Sequence, residues 1–233
     1  MTVVMTLDID WAPDWMIREV ADLLRVHRVK ATWFVTHASA AVAELAGDPA
    51  LFELGIHPNC LPGSTHGATE EDVLRHVRSL VPEAISMRTH GLYQSSRFLV
   101  KAAAAGIRTD VSLFLPRAAR LPVHAFRLDG QEIRRVPYAW EDDYEMAQPD
   151  AVWEVDAEGL VAGDLNVFAF HPVHIVLNGA TCEPYRSLKM LPPDQWTRER
   201  VSGLRRDGKG PGSLFLGLLR QASHASALVR EVA

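Results

Sequence analysis

The stretch LDIDWAP, Leu7 to Pro13, sets two carboxylates, Asp8 and Asp10, one residue apart at the end of an apolar run that begins near the first residue. Side chains alternate along a strand, so residues two apart share a face, about 6.5 Å apart along the chain. Two unpaired carboxylates on an inward face repel one another and lose hydration, so a cation or an arginine is needed to keep both ionised. The spacing suits a division of labour, with one carboxylate holding a metal and the other working beside it as a general base. Capping of the next helix is the plainer use of such acids, but Asp14 is better placed for that.

Histidines and an arginine follow at the ends of other apolar runs. GIHPNCLPGSTHG offers His57 and His66 from one loop rich in Pro, Gly and Ser, which can fold back to bring both imidazoles together. Two histidines and one aspartate leave a position open for water, the pattern of a catalytic metal site, and zinc suits these ligands best. Cys60 lies between them and reads as a small buried thiol. RTHG carries Arg88 and His90 on one face, where an arginine beside the acid pair would hold the base ionised and oriented. FAFHPVH carries His171 and His174, imidazoles suited to protonating a leaving group. PYAWEDD adds an aromatic, Trp140, and two acids, Glu141 and Asp142, at another strand end, a set for substrate contacts or a solvated acidic turn. His27, His76, His124 and His224 read as surface residues.

These endings need a scaffold that brings them to one edge. Short apolar runs alternate with helical patterns throughout: TVVMTLDID, KATWFVTH, FELGIHP, AISMRTHG, IRTDVSLFLP, EIRRVPYAW and LNVFAFHPVH as strands, with helices between the earlier ones. Repeated βα units predict an α/β fold with a parallel sheet, open or closed into a barrel, whose sites lie at the C-terminal strand ends. RRDGKGPGS separates two late helices. The 233 residues, 48% hydrophobic and 23% charged, suit one globular domain over residues 1–233 and fit neither a disordered nor a membrane-spanning chain. A net charge of −5 gives no broad basic surface, so nucleic acid is not an expected partner. Cys60 and Cys182 are too few for a disulfide framework, and MTVVMTLDID lacks the features of a signal peptide. The expected setting is cytoplasmic, with no membrane partner.

LDID, KATWFVT, ELGIHPN, RTHGLYQSS, AGIRTDVSLF and FAFHPVH together resemble the polysaccharide deacetylase family of the NodB homology type, over roughly residues 2 to 178. The resemblance implies a distorted (β/α) barrel and metal-dependent hydrolysis of N- or O-acyl groups on sugars. It implies Asp8 as base, Asp10 as metal ligand, Arg88 as the group orienting Asp8, and His171 as general acid. The family pairs two histidines four residues apart, whereas here no histidine stands at position 61, and His66 is the substitute beside His57. His90 stands where the family has proline, and is assigned with His174 to the substrate side, with a further metal ligand as its other use. The variations resemble a branch of bacterial surface-polysaccharide biosynthesis, whose substrate would be an N-acylated sugar, free or nucleotide-linked. Two rivals remain open: an inactive carbohydrate-binding protein on the same scaffold, and an amidohydrolase acting on a non-sugar amide. GLRRDGKG lacks the Ser or Thr after Lys209 and the preceding strand that a phosphate-binding loop requires.

Overall fold

The computed structural model describes residues 1–155 and 163–233. The chain begins with β1 (Thr2–Asp8), α1 (Asp14–His27), β2 (Ala31–Val35), α2 (Ala40–Ala46), β3 (Phe52–Ile56) and α3 (Glu70–Leu80). There follow β4 (Ser86–Met87), α4 (Ser96–Ala104), β5 (Thr109–Asp110), β6 (His124–Leu128), β7 (Gln131–Arg135), β8 (Trp140–Glu141) and α5 (Asp142–Glu145). β9 (Leu165–Phe170) and α6 (Pro172–Leu177) lead to α7 (Glu183–Lys189), α8 (Arg198–Ser202), α9 (Pro211–Ala222) and α10 (Val229–Val232).

Among the described residues, nine strands form one curled sheet in the order β6-β7-β5-β4-β3-β2-β1-β9-β8, parallel except for the β6–β7 hairpin. The curl nearly closes because the segment after β7 serves both ends. The Val136 and Tyr138 amides donate to the carbonyls of Asp110 and Leu113, and Trp140 and Glu141 then pair with Phe168 and Ala169 of β9. This is the parallel sheet that the βα pattern predicts, curled into the distorted barrel that the family resemblance implies.

Strand alternation sorts two cores. Val4, Phe34, Val111, Val136, Tyr138, Val167 and Ala169 fill the concave side. Met5, Leu7, Trp33, Ile56, Met87, Phe168 and Phe170 face the helices. α1 shows how a helix is fixed there: Met16, Ile17, Val20, Ala21 and Leu24 recur at helical spacing and are buried, and Arg28 ends it in a left-handed conformation.

Several elements depart from the sequence reading. β4 and β5 shrink to two residues each. EIRRVPYAW splits into β7 and β8 around Pro137, which has no N–H for a ladder. LNVFAFHPVH is a strand only to Phe170, and Pro172 opens α6, where a missing N–H costs nothing. β6 has no counterpart in that reading, although its turn, Asp129 and Gly130 with φ of 51° and 73°, is a hairpin signal. No helix among the described residues is long and apolar enough to cross a membrane.

Candidate active site

The C-terminal ends of five strands meet in one cavity of about 520 Å³. Asp8 is the last residue of β1, His57 and Arg88 follow β3 and β4, Glu141 ends β8, and His171 follows β9. Asp10 enters through a turn in which both it and Trp11 have positive φ, 37° and 57°. That strained conformation is sustained by the surrounding bonds, among them Trp11 N–H to Thr36 Oγ1 at 3.3 Å.

Arg88 sits behind Asp8. Its Nη1 donates to Asp8 Oδ1 at 3.1 Å and its Nε to the Val111 carbonyl, while its guanidinium lies between the rings of Phe34 and Tyr138, 4.9 and 4.4 Å from their centroids. Burial disfavours its charge, but Asp8 beside it raises the pKa further. A cation so fixed holds the Asp8 carboxylate in one orientation.

Asp10 Oδ1, His57 Nε2 and His90 Nδ1 form a triangle of donors, 3.2 Å from the carboxylate oxygen to each imidazole and 3.3 Å between the imidazoles. Edges of this length are those of a tetrahedron with donor-to-centre distances of about 2.0 Å, the spacing zinc takes with nitrogen and oxygen ligands. Asp10 Oδ1 is buried with no hydrogen bond of good geometry, so its lone pairs point at the space the imidazoles also face. Burial would raise the pKa of Asp10, but His57 and His90 hold it well below the carboxylate range, and Asp10 raises His90 in return. The donor set fits one divalent metal, and all three residues line the cavity.

His66, expected as the second histidine ligand, lies elsewhere. Its Nδ1 accepts the Asn59 amide at 3.1 Å, its ring stacks on His76 at 5.1 Å, and the Trp11 indole packs against both His66 and His90. Burial and the neighbouring His76 push it down to about 4, so it is neutral. The turn at Gly91, φ 60°, with the His90 amide on the Pro58 carbonyl, carries His90 into the place assigned to His66.

On the opposite wall His171 is held by Asp142, whose Oδ1 lies 2.7 Å from Nδ1 and whose Oδ2 accepts the His171 amide at 2.7 Å. A carboxylate only accepts, so Nδ1 carries a proton and Nε2 is the nitrogen that faces the cavity, 3.6 Å from Asp10 Oδ2. Burial disfavours the charged ring, but Asp142 and Asp143 raise it well above the ordinary histidine range. The raised pKa favours the protonated ring, whose second N–H lies at Nε2.

Three residues expected to touch substrate have other places. Trp140 is buried among Phe168, Phe170 and Trp153 on the helix-facing side, because the inward alternation of Val136 and Tyr138 reverses at Ala139. Asp142 is fully buried and spends its oxygens on His171 and the Asp143 amide. His174 is buried with Nε2 at 2.8 Å from Asp143 Oδ1. Glu141 does line the cavity, and burial pushes its carboxyl up to about 7. The sequence reading passed over Asp143 and the far rim, Tyr185, Lys189 and Trp196. Asp143 follows from the WEDDY register once Asp142 is committed, but the rim has no signal of its own.

Asp142, Asp143, His171 and His174 are also close enough to be a metal cluster. Their 2.7 and 2.8 Å contacts are hydrogen-bond lengths, and Asp142 already accepts three donors, so this group is a relay of acid and imidazole pairs.

Residues 5–189 match the family model described as WbmS-like polysaccharide deacetylase. The chain superposes on the crystal structure of WbmS from Bordetella bronchiseptica, assigned as a polysaccharide deacetylase involved in O-antigen biosynthesis, with a TM-score of 0.81 and 29% identity over 94% of this chain and 90% of that one. It also superposes on the Bc1960 peptidoglycan N-acetylglucosamine deacetylase, TM-score 0.51 at 13% identity over 99% and 86% of the two chains. Peptidoglycan deacetylase PdaC from Bacillus subtilis gives 0.50 at 10% over 99% and 89%, and these last two likenesses show a shared fold alone. No curated protein matches. The chain therefore belongs to the WbmS-like polysaccharide deacetylase family.

Proposed function

We propose that this chain is a metal-dependent hydrolase that removes an N-acyl group, acetyl or formyl, from a sugar or nucleotide-linked sugar in the cytoplasmic stage of surface-polysaccharide biosynthesis. The observation that carries the reading is the placement of Asp8, held by Arg88, beside the Asp10, His57 and His90 triangle, with the Nε2 of His171 across the same cavity. Asp10, His57 and His90 hold the metal, for which zinc suits the donors. What zinc supplies when bound is Lewis acidity, acidifying a water toward neutrality and polarising the acyl carbonyl.

The chain's own residues do the proton work. Asp8 takes the proton of the attacking water, and Arg88 keeps its carboxylate aimed. His171 gives its Nε2 proton to the departing nitrogen, and Asp142 stabilises the charged ring that holds the proton until then. Tyr185 on the rim offers an aromatic ring edge to a sugar.

The test is release of acetate or formate from a panel of N-acylated sugars and nucleotide sugars by zinc-loaded protein, with Asp8→Asn as control. Release by the wild type and none by the variant supports the reading. Equal release by both, or none by the wild type across the panel, contradicts it.

A further inference from the structure

Asp143 has no part in the proton steps above, yet it stands in the cavity wall beside the proton donor. Its Oδ2 lies 4.0 Å from His171 Nε2, and its side chain, 47% exposed, lines the cavity. Its other oxygen is fixed at 2.8 Å by His174 Nε2. His174 is itself immobilised, edge-on to His171 at 5.3 Å and to Tyr185 at 4.6 Å. Two adjacent carboxylates at the start of α5 thus meet two imidazoles three residues apart at the start of α6, Asp142 with His171 and Asp143 with His174.

The nitrogen that leaves in amide hydrolysis must come within about 3 Å of His171 Nε2 to take its proton. Two atoms 4.0 Å apart can both lie about 2.9 Å from a third, so a nitrogen bonded to Nε2 also reaches Asp143 Oδ2. When the C–N bond breaks, its electron pair stays on nitrogen, which takes the Nε2 proton and leaves as an amine. The acid formed on the acyl carbon yields a proton in turn, so the products are an ammonium and a carboxylate. An ester leaves as a neutral alcohol, with no N–H and no positive charge. From this geometry, and resting on the hydrolase reading above, we propose that Asp143, positioned by His174, binds the N–H of the departing nitrogen and its ammonium product, and thereby selects amide over ester substrates.

The experiment compares kcat/KM for one sugar carrying acetyl on nitrogen with the same sugar carrying acetyl on oxygen at the same carbon. Asp143→Asn is expected to lose about 10- to 100-fold on the amide and less than about 3-fold on the ester. His174→Leu should show the same selectivity, and His174→Gln, which keeps an N–H for Asp143, should restore most of it. Calorimetric titration at pH 6 adds a readout independent of turnover. Glucosamine should bind the wild type about tenfold more tightly than Asp143→Asn. Equal losses on amide and ester in the folded variants, or no difference between wild type and variant in glucosamine binding, overturns the proposal. Failure of the wild type to hydrolyse either substrate counts against the hydrolase reading, and the titration then decides the role of Asp143.

Discussion

Asp142 grips His171 at two points, the imidazole Nδ1 and the backbone amide, each at 2.7 Å. One buried carboxylate therefore fixes the ring's orientation and the strand end that carries it. Such a bond commits the remaining nitrogen to the cavity, the arrangement by which a buried carboxylate directs a catalytic histidine.

Asp142→Asn should keep the position of the ring and lose its charge support. The amide can still accept at one atom, but it no longer stabilises an imidazolium, so kcat should fall about 100- to 1000-fold with KM little changed. Steady-state kinetics on any substrate found for the wild type checks this. A fall in kcat/KM carried by KM alone would assign Asp142 to binding.

Asp8→Asn should separate chemistry from metal binding. Asp8 is bonded to Arg88 and lies outside the donor triangle, its Oδ1 3.8 Å from His57 Nδ1. The variant should retain metal and lose at least about 100-fold in turnover. Loss of the metal with the activity would make Asp8 a ligand.

Trp140→Ala should behave as a core deletion. The indole is buried, its centroid 4.6 Å from Phe170 and 6.0 Å from Trp153, and its removal should cost about 3–5 kcal/mol. Denaturant melts measure the loss, with substrate KM unchanged in the fraction that folds. A raised KM with undiminished stability would return Trp140 to the sugar site.

The strand ends were legible in the sequence because a polar residue closing an apolar run has few uses inside a core. Asp8, His57, Arg88 and His171 stand out in this way, and the structure brings all four to one cavity. The choice between His66 and His90 was not legible. It turns on the fold of two loops, one turned by Gly91 at φ 60° and one pinned by the Asn59 amide on His66 Nδ1. Spacing alone does not encode such reach. Trp140, Asp142 and Asp143 were obscured by a reversal of alternation at Ala139, after a proline-broken strand, which shifts every following side chain to the other face.

His66→Asn should alter acid stability. His66 titrates near 4 in the fold, against about 6.5 for a free histidine, because burial and His76 oppose its charge. Between these values the unfolded chain binds the extra proton, so this residue's contribution is complete above pH 6.5 and is lost as the pH falls toward 4. Asparagine keeps an acceptor for the Asn59 amide and does not titrate. Melting temperatures of the variant should therefore decline less than those of the wild type between pH 7 and 4.5. Parallel declines would show that His66 is solvated.

The most direct test of the account is metal content by elemental mass spectrometry after zinc loading, for the wild type, His90→Ala and His66→Asn. The triangle of Asp10, His57 and His90 predicts about one equivalent in the wild type and in His66→Asn, and loss in His90→Ala. Metal retained by His90→Ala and lost from His66→Asn would contradict it, and would return His66 to the metal centre.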